Sequence, residues 1–313
     1  MQIDNITIGV KNKPFIIAEM SGNHNQSLER AWEIVEAAAE SGVHALKLQT
    51  YTADTLTLDV SEGEFIIEDK NSLWKGKSLY ELYQEAYTPW EWHKPIMERA
   101  NELGMLCFST PFDETAVDFL QELNMPAYKI ASFENTPLPL IKKVAATGKP
   151  MIISTGMASI AELDETVRTI RDAGCEQFVL LKCTSTYPAT PKNSNVLTIP
   201  HMRKLFNCEV GLSDHTMGVG AAVAAVAHGA TIIEKHFTLD QTLPGPDHAA
   251  SLEPHELKEM VTAIRNIEKA MGDGVKRPSP SGQKNISIAR KSIVAKSKII
   301  IRNTGNRVIK DKD

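Results

Sequence analysis

Eight times along this chain a short β-branched or aromatic run gives way to a polar loop and then to an amphipathic stretch. The runs lie at 14–18, 44–48, 105–108, 127–130, 150–153, 178–181, 209–212 and 231–233. They are too short to be helices and have the composition of strands. Between them apolar residues recur at helical spacing, as at Leu28, Ala31, Ile34, Val35 and Ala38 within 27–40. The same spacing predicts helices at 114–123, 138–146, 159–172, 199–206, 218–228 and 254–271. Eight strand–helix units over about 260 residues predict an α/β fold, the (β/α)8 TIM barrel. An open doubly wound sheet would want a glycine-rich phosphate turn after the first strand, and Glu19-Met20-Ser21-Gly22-Asn23 is not one.

The pattern assigns residues 1–272 to the barrel. Residues 273–288, rich in Gly, Ser, Pro and Lys, read as a linker, and 289–313 carry strand-like runs at 292–295 and 299–301. That tail is too small to bury a core of its own. A long insertion at 53–88, with Ser72-Leu73-Trp74-Lys75-Gly76 at its centre, interrupts the repeat after the second unit and reads as an ordered functional loop.

Composition removes several function classes. With 34 Lys and Arg against 39 Asp and Glu the net charge is −5, and no basic cluster offers a phosphate-neutralising face to nucleic acid. The N-terminus has no cationic leader, and the most apolar stretch, 217–233, is short and contains His228, so no membrane span is expected. Cys107, Cys175, Cys183 and Cys208 show no paired spacing and read as buried thiols of a cytoplasmic protein.

In a barrel the strand ends converge on one mouth. Polar residues stand within the last residues of the runs or just beyond them: Glu19, Asn23 and His24; Lys47 and Gln49; Ser109 and Thr110; Lys129, Ser132 and Glu134; Ser154 and Thr155; Lys182, Thr184 and Ser185; Ser213, Asp214 and His215; Glu234, Lys235 and His236. So many polar groups amid apolar strands would be costly without a ligand. Three lysines (Lys47, Lys129, Lys182) with hydroxyls at Thr110, Ser132, Ser154 and Ser213 suit a small anion carrying phosphate and carboxylate. A Schiff-base role for Lys129, as in barrel aldolases, is the rival use. His215 and His236 end adjacent strands; either alone would be a structural histidine, and as a pair they suit an open divalent-cation site as well as they suit two structural histidines. His248 is within reach of the same mouth. Glu19 and Glu134 either accept protons and orient hydroxyls or neutralise Lys47 and Lys129.

Taken in order, the motifs Ile16-Ile17-Ala18-Glu19 with Asn23-His24, Lys47-Leu48-Gln49-Thr50, Phe108-Ser109-Thr110-Pro111-Phe112, Tyr128-Lys129-Ile130 with Ser132 and Glu134, Ile153-Ser154-Thr155-Gly156-Met157, Gly211-Leu212-Ser213-Asp214-His215 and Glu234-Lys235-His236-Phe237 resemble the sialic acid synthases. The family includes makers of other nonulosonic acids, pseudaminic and legionaminic acid among them. The resemblance implies condensation of phosphoenolpyruvate with an open-chain N-acetylated amino sugar and release of phosphate. It implies that Lys47, Thr110, Lys129, Ser132, Ser154, Ser185 and Ser213 hold phosphoenolpyruvate and that Glu19, Gln49, Tyr187 and Asp247 contact the sugar. His215 and His236 would bind Mn²⁺ or Mg²⁺, with Glu19, Glu134 and His236 in the catalytic group. Glu134 would be the base for the water that adds to C2.

Some family members carry Asn where this chain has Ser185, which weakens that one assignment. Ser72-Leu73-Trp74-Lys75-Gly76, Thr88-Pro89-Trp90-Glu91-Trp92-His93 and Ala131-Ser132-Phe133-Glu134 look like pseudaminic acid synthases, while Gly245-Pro246-Asp247-His248 and Ala289-Arg290-Lys291-Ser292 look like sialic and legionaminic types. The family also implies a homodimer and a C-terminal antifreeze-like (SAF) domain that supplies an arginine to the partner's sugar site. Arg290-Lys291-Ser292-Ile293-Val294-Ala295 resembles that domain's opening strand, and the Arg-Pro-Gly segment expected after it does not occur before Asp313. The expectation is therefore a barrel followed by a truncated antifreeze-like domain. Two functions follow from it: an active synthase, or a barrel that binds phosphoenolpyruvate and metal but turns over poorly without its lid.

Overall fold

The computed structural model describes residues 1–68 and 74–289. A hairpin of β1 (Gln2–Ile3) and β2 (Ile6–Thr7) opens the chain. Eight parallel strands follow: β3 (Phe15–Glu19), β4 (Ala45–Thr50), β5 (Leu106–Pro111), β6 (Tyr128–Ile130), β7 (Met151–Ser154), β8 (Phe178–Cys183), β9 (Glu209–Asp214) and β10 (Ile232–His236). Each pairs with the next, and β10 pairs back onto β3, so the sheet closes into a barrel. The architecture is the expected TIM barrel.

All eight apolar runs became barrel strands, but several strands continue past them. The run at 231–233 extends to His236 because Glu234 and His236 stay in the ladder opposite Ile17 and Glu19. Those at 178–181 and 209–212 extend likewise to Cys183 and Asp214. The polar residues thus sit on the last rungs of rigid strands, where the ladder fixes which way each side chain points.

Thirteen helices accompany the strands in the described residues: α1 (Leu28–Glu40), α2 (Ala53–Leu56), α3 (Leu79–Ala86), α4 (Trp90–Glu102), α5 (Glu114–Glu122), α6 (Leu138–Ala146), α7 (Ile160–Asp172), α8 (Pro191–Ser194), α9 (Thr198–Phe206), α10 (Gly220–Ala227), α11 (Pro254–Met271), α12 (Pro280–Gln283) and α13 (Ile286–Ala289). Starts are set by local chemistry: Ser27 caps α1, Asp113 caps α5, and Ser78 with Glu81 and Ser159 with Glu162 form capping boxes. The helix α4 was not anticipated, since Pro95 lies inside it; burial of His93, Ile96 and Ala100 along one face holds it. The N-terminal hairpin was also missed. Its Ile3 joins the core and the Gln2 N–H donates to Gln177 just before β8, so it packs at the end of the barrel opposite the mouth.

Core packing joins strand residues that alternation turns into the barrel, such as Phe15, Ile17 and Phe108, and others that it turns outward toward the apolar faces of α1, α5, α6, α7 and α11, such as Leu46 and Ile233. Gly211 is required by crowding: a Cβ there would lie 2.5 Å from the Ile232 carbonyl oxygen on the next strand. By its internal contacts the chain divides into one compact unit at Met1–Ala270 and a second at Met271–Asp313. The stretch read as a linker contains the short helices α12 and α13. The expected antifreeze-like strands at 292–295 and 299–301, and the Ser72-Leu73 part of the insertion, lie outside the described residues.

Candidate active site

A cavity of about 460 Å³ opens at the C-terminal end of the barrel. Its floor is made by alternate residues of successive strands, because side chains two apart share a face. Glu19 comes from β3, Lys47 and Gln49 from β4, Lys129 from β6, Ser154 from β7, Cys183 from β8, Ser213 from β9, and Glu234 and His236 from β10. Loops after the strands add Ser132, Glu134, Tyr187, His215 and Asp247.

The floor is a buried charge cluster. Lys47 Nζ lies 2.8 Å from Glu19 Oε2 and 3.4 Å from Glu234 Oε2. Lys129 Nζ lies 3.6 Å from Glu234 Oε1 and donates to Ser154 Oγ at 2.7 Å. Ser213 Oγ donates to Glu234 Oε1 at 2.9 Å, and Gln49 Nε2 donates to Glu19 Oε1 at 2.8 Å. Burial opposes the charge of Glu19, but His236, Lys47 and Lys129 outweigh it and hold the carboxyl well below the usual range. Glu19 and Glu234 keep Lys47 charged despite its burial. Lys129 differs: burial, reinforced by the charge of Lys47, brings its ammonium below the ordinary lysine value. An incoming anion would therefore be welcomed by Lys129 most of all, since its charge is the less fully compensated.

Hydroxyls frame the lysines. The Gly156 N–H donates to Ser132 Oγ at 3.0 Å. A Cβ on Gly156 would stand 2.1 Å from Ser185 Oγ, 2.8 Å from Ser132 Oγ and 3.3 Å from Cys183 Sγ, so only glycine leaves this nest open. Thr110 is fully buried behind Lys47, 3.5 Å from its Nζ, and does not line the cavity. Ser185 stands behind Cys183 rather than on the cavity surface, its Oγ 4.0 Å from that sulfur.

The two histidines meet as expected, with ring centroids 5.1 Å apart. His215 Nδ1 faces the Thr184 carbonyl at 2.9 Å; a carbonyl only accepts, so Nδ1 carries the proton and Nε2 the lone pair. His236 Nε2 lies 3.2 Å from Glu19 Oε2, while its buried Nδ1 has no hydrogen-bond partner and lies 3.8 Å from Asp247 Oδ2. An orphaned ring nitrogen beside a tautomer-fixed imidazole and two carboxylates fits a divalent cation. Among the described residues no group of three or more His, Cys, Asp and Glu side chains encloses a metal by itself. A cation would take two imidazoles and complete its shell from water or substrate. Tyr187 lies against the pair, 4.2 Å from the His215 ring.

Glu134 is buried, its Oε2 without a hydrogen-bond partner, and burial pushes its carboxyl up to about 7 against the lowering influence of Lys129 and Lys47. Of its two readings, neutralising Lys129 and Lys47 is disfavoured, since neither lysine bridges to it at ion-pair distance.

Three expectations require correction. Lys182 is not in the cavity: strand alternation places Cys183 inward and Lys182 on the opposite face, where its Nζ donates to the Cys183 carbonyl and Thr184 Oγ1. His248 is held by Thr238 Oγ1 at 2.8 Å and Asn25 Oδ1 at 2.7 Å, and does not line the cavity. Asn23 and His24 are structural: Asn23 Nδ2 donates to the Phe237 carbonyl, and His24 Nδ1 accepts from Gln26 N, leaving Nε2 to donate to Thr88 Oγ1 at 3.0 Å. The same alternation separates Glu234, placed at the mouth without a role and two residues from His236, from Lys235 between them, and would have found Cys183. Sequence reasoning also missed Ser21, which hydrogen-bonds Asp247 Oδ2, and the wall residues Tyr51, Leu56, Leu82 and Tyr83, which no motif marks, and gave no role to Phe112 within its motif.

Comparison with known proteins agrees with this site. The family described as the NeuB family matches residues 34–276. Pseudaminic acid synthase of Campylobacter jejuni is 46% identical over 274 residues, covering 88% of this chain and 79% of that protein. N,N'-diacetyllegionaminic acid synthase of the same species is 41% identical, covering 92% of this chain and 86% of its own length. The crystal structure of N-acetylneuraminic acid synthetase from Leptospira borgpetersenii superposes with a TM-score of 0.80 at 32% identity, covering 92% of this chain and 95% of that one. A closed eight-stranded barrel with this mouth, matched over most of its length by such relatives, places the chain in the NeuB family, the sialic acid synthases.

Proposed function

We propose that this protein is a nonulosonic acid synthase that joins phosphoenolpyruvate to an N-acetylated amino sugar, forming a C–C bond and releasing phosphate. The observation that carries the reading is the convergence of Lys47, Lys129, Ser154 and Ser213 in one buried floor beside the His215–His236 pair and the protonatable Glu134. The named relatives are synthases of this type, and the alternative of an impaired binding barrel is not favoured.

Lys47 and Lys129 take the phosphate and carboxylate charges, with Ser132, Ser154 and Ser213 orienting the anion, Ser185 backing the nest at Gly156 and Thr110 supporting Lys47 from behind. Glu19, Gln49, Tyr187 and Asp247 contact the sugar, Ser21 fixing Asp247. His215 and His236 would hold Mn²⁺ or Mg²⁺, which when bound supplies Lewis-acid polarisation of the sugar aldehyde. The methylene carbon of phosphoenolpyruvate attacks that aldehyde. Glu134, poised near neutrality, takes a proton from the water that adds to C2, and the resulting tetrahedral carbon expels phosphate. In this reading the exposed apolar residues Phe133, Met157 and Met217 are covered by a second subunit in a homodimer.

The test is phosphate release. It should require phosphoenolpyruvate and an N-acetylated amino sugar together. Release without sugar, or none with any such sugar, would overturn the reading.

A further inference from the structure

The two histidines at the mouth are held by different means. His236 is the last residue of β10 and sits within the barrel ladder: the Phe237 N–H after it donates to the Glu19 carbonyl at 2.8 Å, and its own carbonyl accepts from Leu252 N at 2.8 Å. His215 stands one residue past the end of β9. Its carbonyl accepts from Ala189 N at 2.8 Å, and the chain on either side of it is held by a side chain of the next strand. Lys235 Nζ donates to Asp214 Oδ2 at 3.0 Å and to the Thr216 carbonyl. Asp214 Oδ1 in turn accepts from Thr216 N at 2.9 Å. One ammonium and one carboxylate thus close a ring of bonds around the backbone of His215, and the ammonium belongs to the residue that precedes His236.

Lys235 does not line the cavity. Alternation turns Glu234 and His236 inward and Lys235 outward, into the layer between barrel and helices. There Lys235 is 0% exposed and Asp214 3%. Taking both charges out of water is costly, and apolar residues of like volume would hold that layer together at least as well. What an apolar side chain could not do is fix an oxygen on each side of His215. The register agrees, since Lys235 lies directly opposite Asp214 in the β9–β10 ladder.

We propose that Lys235 is a positioning residue for the cation site: from the outer face of the barrel it ties the loop carrying His215 to the strand carrying His236, and so holds the two imidazoles at one separation. This rests on reading the His215–His236 pair as the site of a divalent cation. Groups that orient metal ligands without touching the metal typically carry about 10- to 100-fold in affinity.

The experiment titrates Mn²⁺ alone into metal-free protein and follows the electron paramagnetic resonance signal of the unbound ion. Lys235→Met should bind Mn²⁺ about 10- to 100-fold more weakly than the wild type. Its affinity for phosphoenolpyruvate, measured by calorimetry without metal, should change by less than about threefold, which separates lost positioning from general damage to the barrel. Lys235→Met by itself leaves Asp214 buried and unpaired, so Lys235→Met combined with Asp214→Asn is the second test. Asparagine still accepts from the Thr216 N–H and the buried charges are gone. The Tm of this double variant should stay within about 4 °C of wild type while Mn²⁺ binds at least about tenfold more weakly. Wild-type Mn²⁺ affinity in either folded variant, equal losses for Mn²⁺ and phosphoenolpyruvate, or failure of the double variant to fold would overturn the proposal and leave the cation site standing. A wild-type protein that binds no Mn²⁺ would overturn both.

Discussion

The floor and the wall of one cavity are built by opposite means. The floor hangs on the last rungs of parallel strands, where Glu19, Lys47 and Glu234 are nearly sealed from solvent and held against one another by ion pairs. The wall is carried largely by an insertion whose residues Leu82 and Tyr83 are only half-buried and contribute surface rather than charge. The charged groups sit on the scaffold, and much of the apolar face sits on an appendage that can change without disturbing them. Glu134 stands where the two meet.

That division is open to attack, from the largest effect downward. Glu134→Gln should lower kcat by up to about 10⁴-fold while phosphoenolpyruvate still binds, measured by single-turnover phosphate release and by calorimetric titration. Because the base must be ionised and burial pushes its carboxyl up to about 7, wild-type activity should fall as pH drops below that value, and the acid limb should vanish in the variant. Lys129→Met removes a partner of Glu234 and should cost on the order of 10³-fold in kcat/KM, together with a lowered Tm from the buried carboxylate left behind. Gly156→Ala fills the serine nest and should raise the phosphoenolpyruvate KM about tenfold with little change in the sugar KM, as seen by varying each substrate in turn. Lys182→Met, on the outward face of β8, should change kcat/KM by less than about threefold. A large loss there would mean that strand alternation does not decide which lysines act.

How far the sequence disclosed this follows the same line. Every barrel strand was legible, because a buried parallel strand must be apolar and cannot hide. The floor was legible wherever a reactive residue ended an apolar run, as at Glu19, Lys129 and His215. It failed where the period was not followed: Glu234 was placed at the mouth but given no role, and Lys182 was counted inward although its neighbour Cys183 takes that place. Both errors come from not carrying the period of two to the end of the strand. The wall was illegible for a deeper reason. Tyr51 and Phe112 follow two different strands and Leu82 and Tyr83 lie on one helix, far apart in the chain, and nothing in their local pattern distinguishes a cavity face from an ordinary apolar face.

The central claim is that the buried floor and Glu134 direct water onto the substrate carbon rather than onto phosphorus. Turnover of phosphoenolpyruvate and acceptor sugar in ¹⁸O-labelled water, with mass analysis of the released phosphate, tests it directly. Phosphate released without the solvent label is the predicted result, because the C–O bond breaks; phosphate carrying solvent ¹⁸O would contradict it.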